Sequence, residues 1–568
     1  MLRTAIVIVV LLSAASLGAR QAVTGATSPQ PHNPQDSNPP RDPKQPKDSG
    51  TARIRGRVIG GEAGTPLRRA TVQLSGEGTE EPRSAITDDN GRYEFKGLSA
   101  GRIRLTASKG GYVEVQYGQR RPKQSGRPID LGSGQTIEAD FNLPRGGVLA
   151  GRITDEIGEP AVGASVNAER WQYTAGGKRQ LQSSGGATTD DMGRFRIYGL
   201  PAGDYYVSAT TGEAFTVGVS DSRVGTCKTF YPGTARQAEA QRLRVTAGGE
   251  NAAVNFAIQT TRTVQVSGSV LDSNGHPAPM GFVSAMPGDR TVGGPSVAGI
   301  IKPDGTFTLS GLNAGDYILF AQAGLGSGPA DAEMATSPIS VGTEDLSGLA
   351  LTTAPPSQVK GQIIFDGAAP AEATPSHFFL GTRPLIQTSM MFGDGGPLTT
   401  KSDWTFEGYL RISPSLIVGG DMRQKWTVKA VLQDGVDVTD AGIQFKPGDT
   451  VDNVQVVLSD RMTVVTGAVT TEKNLPTADY VVLLFPDDSA KWAQEWRYVR
   501  TERPNQQGRF EVKGLPSGRY LGVALSDLED GQASDPEYLE QMRRSATAFD
   551  LGDGEHKTLA LNLVTDRD

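Results

Sequence analysis

From residue 51 onward apolar and polar residues alternate in short runs, and the runs return in a fixed order. Each unit opens with apolar residues flanking a glycine: Ile54-Arg-Gly56-Arg-Val58, Leu149-Ala-Gly151-Arg-Ile153, Val266-Ser-Gly268-Ser-Val270, Val359-Lys-Gly361-Gln-Ile363 and Val465-Thr-Gly467-Ala-Val469. Alternation with a period of two is the mark of a half-buried strand. In four units a proline-bearing turn follows, at Pro66, Pro160, Pro277 and Pro476. A second alternating strand comes next, such as Ala70-Thr-Val72-Gln-Leu74.

The middle of each unit is more sharply marked. Thr87-Asp-Asp-Asn-Gly91-Arg-Tyr93 leads to Gly97-Leu-Ser-Ala-Gly101, and Thr189-Asp-Asp-Met-Gly193-Arg-Phe195 leads to Gly199-Leu-Pro-Ala-Gly203. Further copies are Gly305-Thr-Phe307 with Gly311-Leu-Asn-Ala-Gly315, and Gly508-Arg-Phe510 with Gly514-Leu-Pro-Ser-Gly518. Asp or Asn near Gly supplies a hairpin turn, and the aromatic then starts an inward-facing strand. A glycine turn and one more alternating strand close each unit, at Phe141-Asn-Leu143, Phe256-Ala-Ile258, Leu349-Ala-Leu351, Val454-Gln-Val456 and Leu559-Ala-Leu561.

This spacing predicts an all-β chain with minimal helix, in five modules over residues 51–145, 146–261, 262–354, 355–460 and 461–568. The fourth is degenerate. Lys401-Ser-Asp403-Trp404-Thr-Phe406 lacks the turn glycine, and Trp426-Thr-Val428-Lys-Ala430 is expected where the later strand belongs. One segment reads as helix, with Asp535 as cap, Pro536 in the first position, and Leu539 and Met542 one turn apart.

Composition fits this pattern. The 71 glycines and 35 prolines among 568 residues suit many short strands joined by tight turns. One cysteine (Cys227) and four histidines (His32, His276, His377, His556) leave no disulfide framework and no zinc-peptidase motif. A net charge of −7 argues against nucleic acid as a partner. Residues 51–145 hold 16 Lys/Arg and 11 Asp/Glu, whereas 462–568 hold 12 and 18. That asymmetry reads as solvated surface, not as a docking code.

The N-terminus reads as an address. Met1-Leu-Arg3 precedes an apolar run from Ala5 to Leu17, which suits a signal peptide over residues 1–22 and is short for a membrane span. Cleavage, or retention as an anchor, stays open. Residues 23–50 contain seven prolines and no apolar period, a disordered spacer. The expected location is the periplasm or the extracellular space, with no transmembrane segment after cleavage.

The order I/V-x-G-x-V, T-D-x-x-G-R-F/Y, G-L-x-A-G resembles carboxypeptidase regulatory-like modules, and the match covers four units well and the fourth loosely. The run Phe141-Asn-Leu-Pro-Arg145-Gly-Gly-Val-Leu-Ala-Gly151 is similar to tandem versions in secreted proteins of soil bacteria such as Acidobacteria. The resemblance implies that each of the five modules is a small Greek-key β-sandwich, transthyretin-like (prealbumin-like or Ig-like) and grouped with carbohydrate-binding-like folds. It implies no chemistry, because in metallocarboxypeptidases such a module accompanies the catalytic domain.

The residues give the same expectation: no catalytic group, no cofactor and no metal. Gly97-Leu-Ser99-Ala-Gly101 has the form of a nucleophile elbow, but sister copies carry Pro201, Asn313 and Pro516 there, and the module has no histidine. Paired carboxylates for glycoside hydrolysis stay open among 63 acidic residues, and calcium stays open at the Asp88 and Asp190 turns. The candidate ligand-binding residues are loop aromatics with basic neighbours: Tyr117, Arg120, Trp171, Tyr173, Tyr231, Trp492 and Trp496. Exposed loop aromatics are the usual place for binding. The expected role is a non-catalytic, monomeric binding scaffold at the cell envelope or outside the cell, with polysaccharide the favoured ligand and an envelope protein the other partner considered. The alternative is a structural spacer or protein-interaction rod without glycan affinity.

Overall fold

The computed structural model describes residues 50–61, 63–76, 82–120, 124–173, 179–211, 215–217, 224–287, 296–324, 332–367, 374–385, 396–421 and 426–564. The described residues fall within one compact unit, Asp48–Asp568. The segment expected to be a signal peptide, the expected spacer up to residue 49, and His32 lie outside the described residues.

In the first module the opening strand Ala52–Gly60 pairs antiparallel with the hairpin strand Arg92–Leu98. On its other side it pairs parallel with the closing strands Thr136–Glu138 and Phe141–Leu143. A second sheet runs Arg83–Ile86, Thr71–Gly76, Gly101–Ser108, Val115–Gln116. The inward residues of both sheets, among them Ile54, Val58, Val72, Leu74, Phe95 and Leu105, form one core. The opening strands Gly147–Thr154, Val264–Leu271, Ser357–Phe365 and Val464–Thr470 repeat the same two pairings. The result is all-β, a tandem array of β-sandwiches.

One register accounts for the opening glycine. Gly56 faces Tyr93, Gly151 faces Phe195, Gly268 faces Phe307, Gly361 faces Phe406 and Gly467 faces Phe510. A β-carbon there would lie 1.9 Å from the carbonyl oxygen of Ala139, 2.0 Å from Val254, 2.1 Å from Leu349, 2.2 Å from Val454 and 2.2 Å from Leu559, in the same order. The closing strand approaches too closely for any side chain.

The Thr-Asp pair is consumed locally. Thr189 Oγ1 accepts the Ala164 N–H at 2.8 Å and donates to Ala161 O at 2.5 Å; Thr87 does the same with Ala70 and Leu67. Asp88 Oδ1 accepts the N–H groups of Asn90 and Arg92, and Asp190 Oδ1 those of Met192 and Arg194. Both carboxylates cap hairpin turns. Thr189→Val keeps the shape but strands two buried backbone groups. It is expected to cost the second module about 1–3 kcal/mol, read as a lower urea midpoint with an unchanged slope.

The fourth module keeps the turn by another route. Trp404 occupies the turn position with φ +66°, close to the +74° of Gly91. Its ring meets Phe365 at 4.8 Å and Phe378 at 5.4 Å, which offsets the strained backbone. The expected later strand is corrected. Ser415–Asp421 pairs with Phe378–Pro384, as Gly101–Ser108 pairs with Thr71–Gly76, whereas Thr427–Gln433 pairs with the closing strand Thr450–Ser459. Leu416 and Ile417 are buried there, and Trp426 turns into the core against Phe365 at 5.1 Å.

The expected helix is Pro536–Arg543, with Asp535 accepting the Glu537 N–H at 2.9 Å and Leu539 buried. A second helical stretch had no legible period: the 3₁₀ turn Ser489–Gln494 and the short helix Glu495–Tyr498, started by Asp488 on the Ala490 N–H.

Candidate functional site

The two tyrosine loops hold equivalent places. The Tyr117 N–H donates to Leu105 O and the Tyr231 N–H to Val207 O, both at 2.9 Å. Each ring stands edge-on to the phenylalanine of its closing strand, Tyr117 to Phe141 at 6.2 Å and Tyr231 to Phe256 at 6.0 Å. Both are half-buried and pack on their module's core. Their local duty is to cover the sandwich edge.

Trp171 and Tyr173 lie on Ser165–Tyr173, which pairs with Arg179–Thr188, and both are half-buried. The Arg179 guanidinium stands 5.8 Å from the Tyr173 ring. The fifth module comes close here, since a β-carbon on Gly531 would lie 2.8 Å from Tyr173 O.

Trp492 needs the largest correction. Expected on an exposed loop, it is 6% exposed, and its Nε1–H donates to Pro486 O at 2.9 Å. Its ring packs on Phe485 at 6.0 Å, with the Arg543 guanidinium at 5.2 Å. The Ser489–Gln494 turn folds the insertion back onto Val481–Pro486, a strand buried at all six residues. Trp496, 36% exposed, has Arg383 of the fourth module 5.8 Å from its ring.

Arg120 leads out of the first module altogether. Its guanidinium donates to Asp479 of the fifth module at 2.9 Å. Around it, Arg104 and Arg102 meet Glu502 at 3.0 and 3.4 Å, Asn505 Nδ2 donates to Asp130 Oδ2 at 2.6 Å, and Arg127 donates to Ala478 O. Arg503, 1% exposed, donates to Ser125 O at 3.0 Å and pairs with Asp479 at 3.3 Å. Burial first, then Arg127 alongside, lowers its pKa to about 10, so it stays protonated at neutral pH. The charge asymmetry between the first and last modules is therefore, in part, a docking surface, which corrects its reading as solvated.

The fifth module also carries a cleft of about 300 Å³ lined by Asp487, Asp488, Lys491, Tyr498, Arg519 and Tyr520 among others. Asp487 holds Arg543 at 2.7 Å and Arg519 at 3.2 Å. The Tyr498 hydroxyl donates to Asp440 of the fourth module, and burial, then that carboxylate, raises its pKa to about 12. Lys491 and Tyr498 flank the candidates Trp492 and Trp496, and Arg519 and Tyr520 follow the glycine turn at Gly518. Asp487 and Asp488 follow the strand Val481–Pro486 as isolated charges, with no pattern to distinguish them.

Between the same two modules, Lys429 foremost, then Ser459 and Arg461, hold Asp366 at about 2. That is below the roughly 3.9 of an unfolded aspartate. The stability it contributes is full above pH ~4 and lost as pH falls through about 2. The melting temperature of Asp366→Asn is expected to depend less on pH across that window than that of the wild type; equal slopes would refute the assignment.

Among the described residues, no group of three or more His, Cys, Asp or Glu is placed to hold a metal ion. Cys227 Sγ–H donates to Gln259 O at 3.5 Å. No helix among the described residues is long and apolar enough to cross a membrane.

These features define a class: tandem β-sandwich modules whose repeated residues build turns and cores and whose unrepeated charges build joints. Residues 53–144 and 148–259, in the first two modules, match the model of the carboxypeptidase regulatory-like domain in two tandem copies. No curated protein matches the chain. Among solved structures, the minor pilin GBS52 of Streptococcus agalactiae is 16% identical, with 37% of this chain and 96% of that one covered and a TM-score of 0.21. The major pilin subunit BcpA of Bacillus cereus is 14% identical, with 53% and 99% covered and a TM-score of 0.14. Nothing about this chain follows from likeness at that level.

Proposed function

We propose that the protein is an exported, non-catalytic scaffold of five sandwich modules, acting in the periplasm or outside the cell by holding an envelope protein. The observation that carries this reading is the use made of the repeat's polar residues. Thr87, Asp88, Thr189 and Asp190 close turns, and Arg120 joins one module to another. The signal-peptide pattern from Met1 to Leu17 supports export. Cell fractionation paired with crosslinking of the full chain tests it. Recovery from the periplasmic or extracellular fraction, crosslinked to an envelope protein, is expected; a cytoplasmic protein, or one that turns over a peptide or glycan, would overturn it.

A second reading, polysaccharide binding, draws on Trp496 beside Arg383, the aromatic pair Trp171 and Tyr173, and the cleft at Tyr498. Tyr117, Arg120 and Tyr231 contribute to it only if their loops shift from the packing described above. Retention on insoluble polysaccharide that is lost in Trp496→Ala supports this reading; no retention removes it.

A further inference from the structure

Resting on the scaffold reading, we propose that the basic face of the first module and the acidic face of the fifth are a docking pair that also joins two copies of this chain, each lending its first module to the other. The two faces belong to modules at opposite ends of the array, so one chain or two can satisfy the same contact. Reciprocal exchange of an identical element is a low-cost route to a dimer.

The chemistry of the joint favours exchange. Arg102, Arg104, Arg120 and Arg127 face Glu502, Glu511 and Asp479, with pairs at 2.9 to 4.0 Å. The apolar clusters of the two modules each stay within their own residues and do not cross the joint. The pairing is also imperfect: Arg127 Nε and Arg503 Nε are buried without an acceptor. A charged contact that runs from the largely buried Arg102–Glu502 pair to the solvated Arg120–Asp479 pair gains little over its separated, hydrated halves. Charge complementarity nevertheless specifies which surface fits. High effective concentration keeps the contact inside one chain when the protein is dilute.

Two full-length variants test this. Glu502→Arg leaves the first module intact, and Arg102→Glu with Arg104→Glu leaves the fifth intact. Each alone is expected to be a monomer, because neither chain can pair its own faces. Mixed in equal amounts at tens of micromolar they are expected to form a one-to-one dimer by light scattering, since both faces then find opposite charges. That dimer is expected to dissociate in 1 M NaCl, where the screening length is about 3 Å. A mixture that stays monomeric, with both variants folded by circular dichroism, overturns the proposal. Should a single variant misfold, one chain carrying all three reversals restores the pairing. It is expected to match the wild type in hydrodynamic radius and to dimerise reversibly on concentration; a monomer at every concentration overturns the proposal. Either failure leaves the scaffold reading standing, since that reading falls on location or turnover instead.

Discussion

Gly268→Val is expected to unfold the third module while leaving the others folded. The opening strand Val264–Leu271 is the one strand of its sheet that pairs on both sides, with Phe307 opposite Gly268 on one and Leu349 on the other. A β-carbon at Gly268 would sit 2.1 Å from Leu349 O and 2.8 Å from the Leu349 carbonyl carbon. Both atoms are backbone in a hydrogen-bonded ladder, so neither can swing aside as a flexible side chain would. Relief requires the closing strand to leave the opening strand, which uncovers Val266 and Val270 at the core. Overpacking in a core costs about 1–3 kcal/mol, and more where nothing yields. That is a large share of the roughly 5–15 kcal/mol that holds a domain folded. Calorimetry is expected to show a separate transition at lower temperature, and limited proteolysis to cut within residues 262–354. Gly342→Ala is the control. Open space surrounds that position, so its effect should stay within about 0.5 kcal/mol. Equal unfolding of the two variants would mean that the closing strand does not lie where this register places it.

The turns and cores were legible in the sequence because their causes are local. A glycine between alternating apolar residues, or Thr-Asp before a hairpin glycine, announces backbone geometry that a few neighbouring residues decide. Asp535-Pro536 announced a helix for the same reason. Trp404 was harder. The pattern said that the turn glycine was gone, but only the packed rings of Phe365 and Phe378 reveal why the turn persists. The joints were not legible at all. Arg104 and Glu502 lie 398 residues apart, and nothing near either one names the other. The excess of basic residues in the first module and of acidic ones in the fifth was visible, yet net charge gives no positions. The two loop tyrosines were hard to read for a related reason. Tyr117 and Tyr231 cover a sandwich edge, a role that exposes part of each ring and looks in sequence like a binding platform.

Trp492→Ala is expected to destabilise the fifth module by about 3–5 kcal/mol, the usual cost of removing a large buried aromatic. The indole fills the space between Phe485 and Arg543, and its N–H meets Pro486 O at 2.9 Å. Truncation leaves a cavity beside Leu483, Leu521 and Leu539, residues of the same cluster, and a carbonyl without its donor. Trp496→Ala, four residues on, removes a ring that is partly solvated and is expected to cost under about 1 kcal/mol. Chemical unfolding of the two variants side by side separates a core residue from a surface platform. A binding platform would give the opposite ranking: little loss of stability at Trp492, with any retention on polysaccharide abolished. A stable Trp492→Ala protein would therefore return that residue to the candidate site and remove the Ser489–Gln494 turn as the reason for its burial.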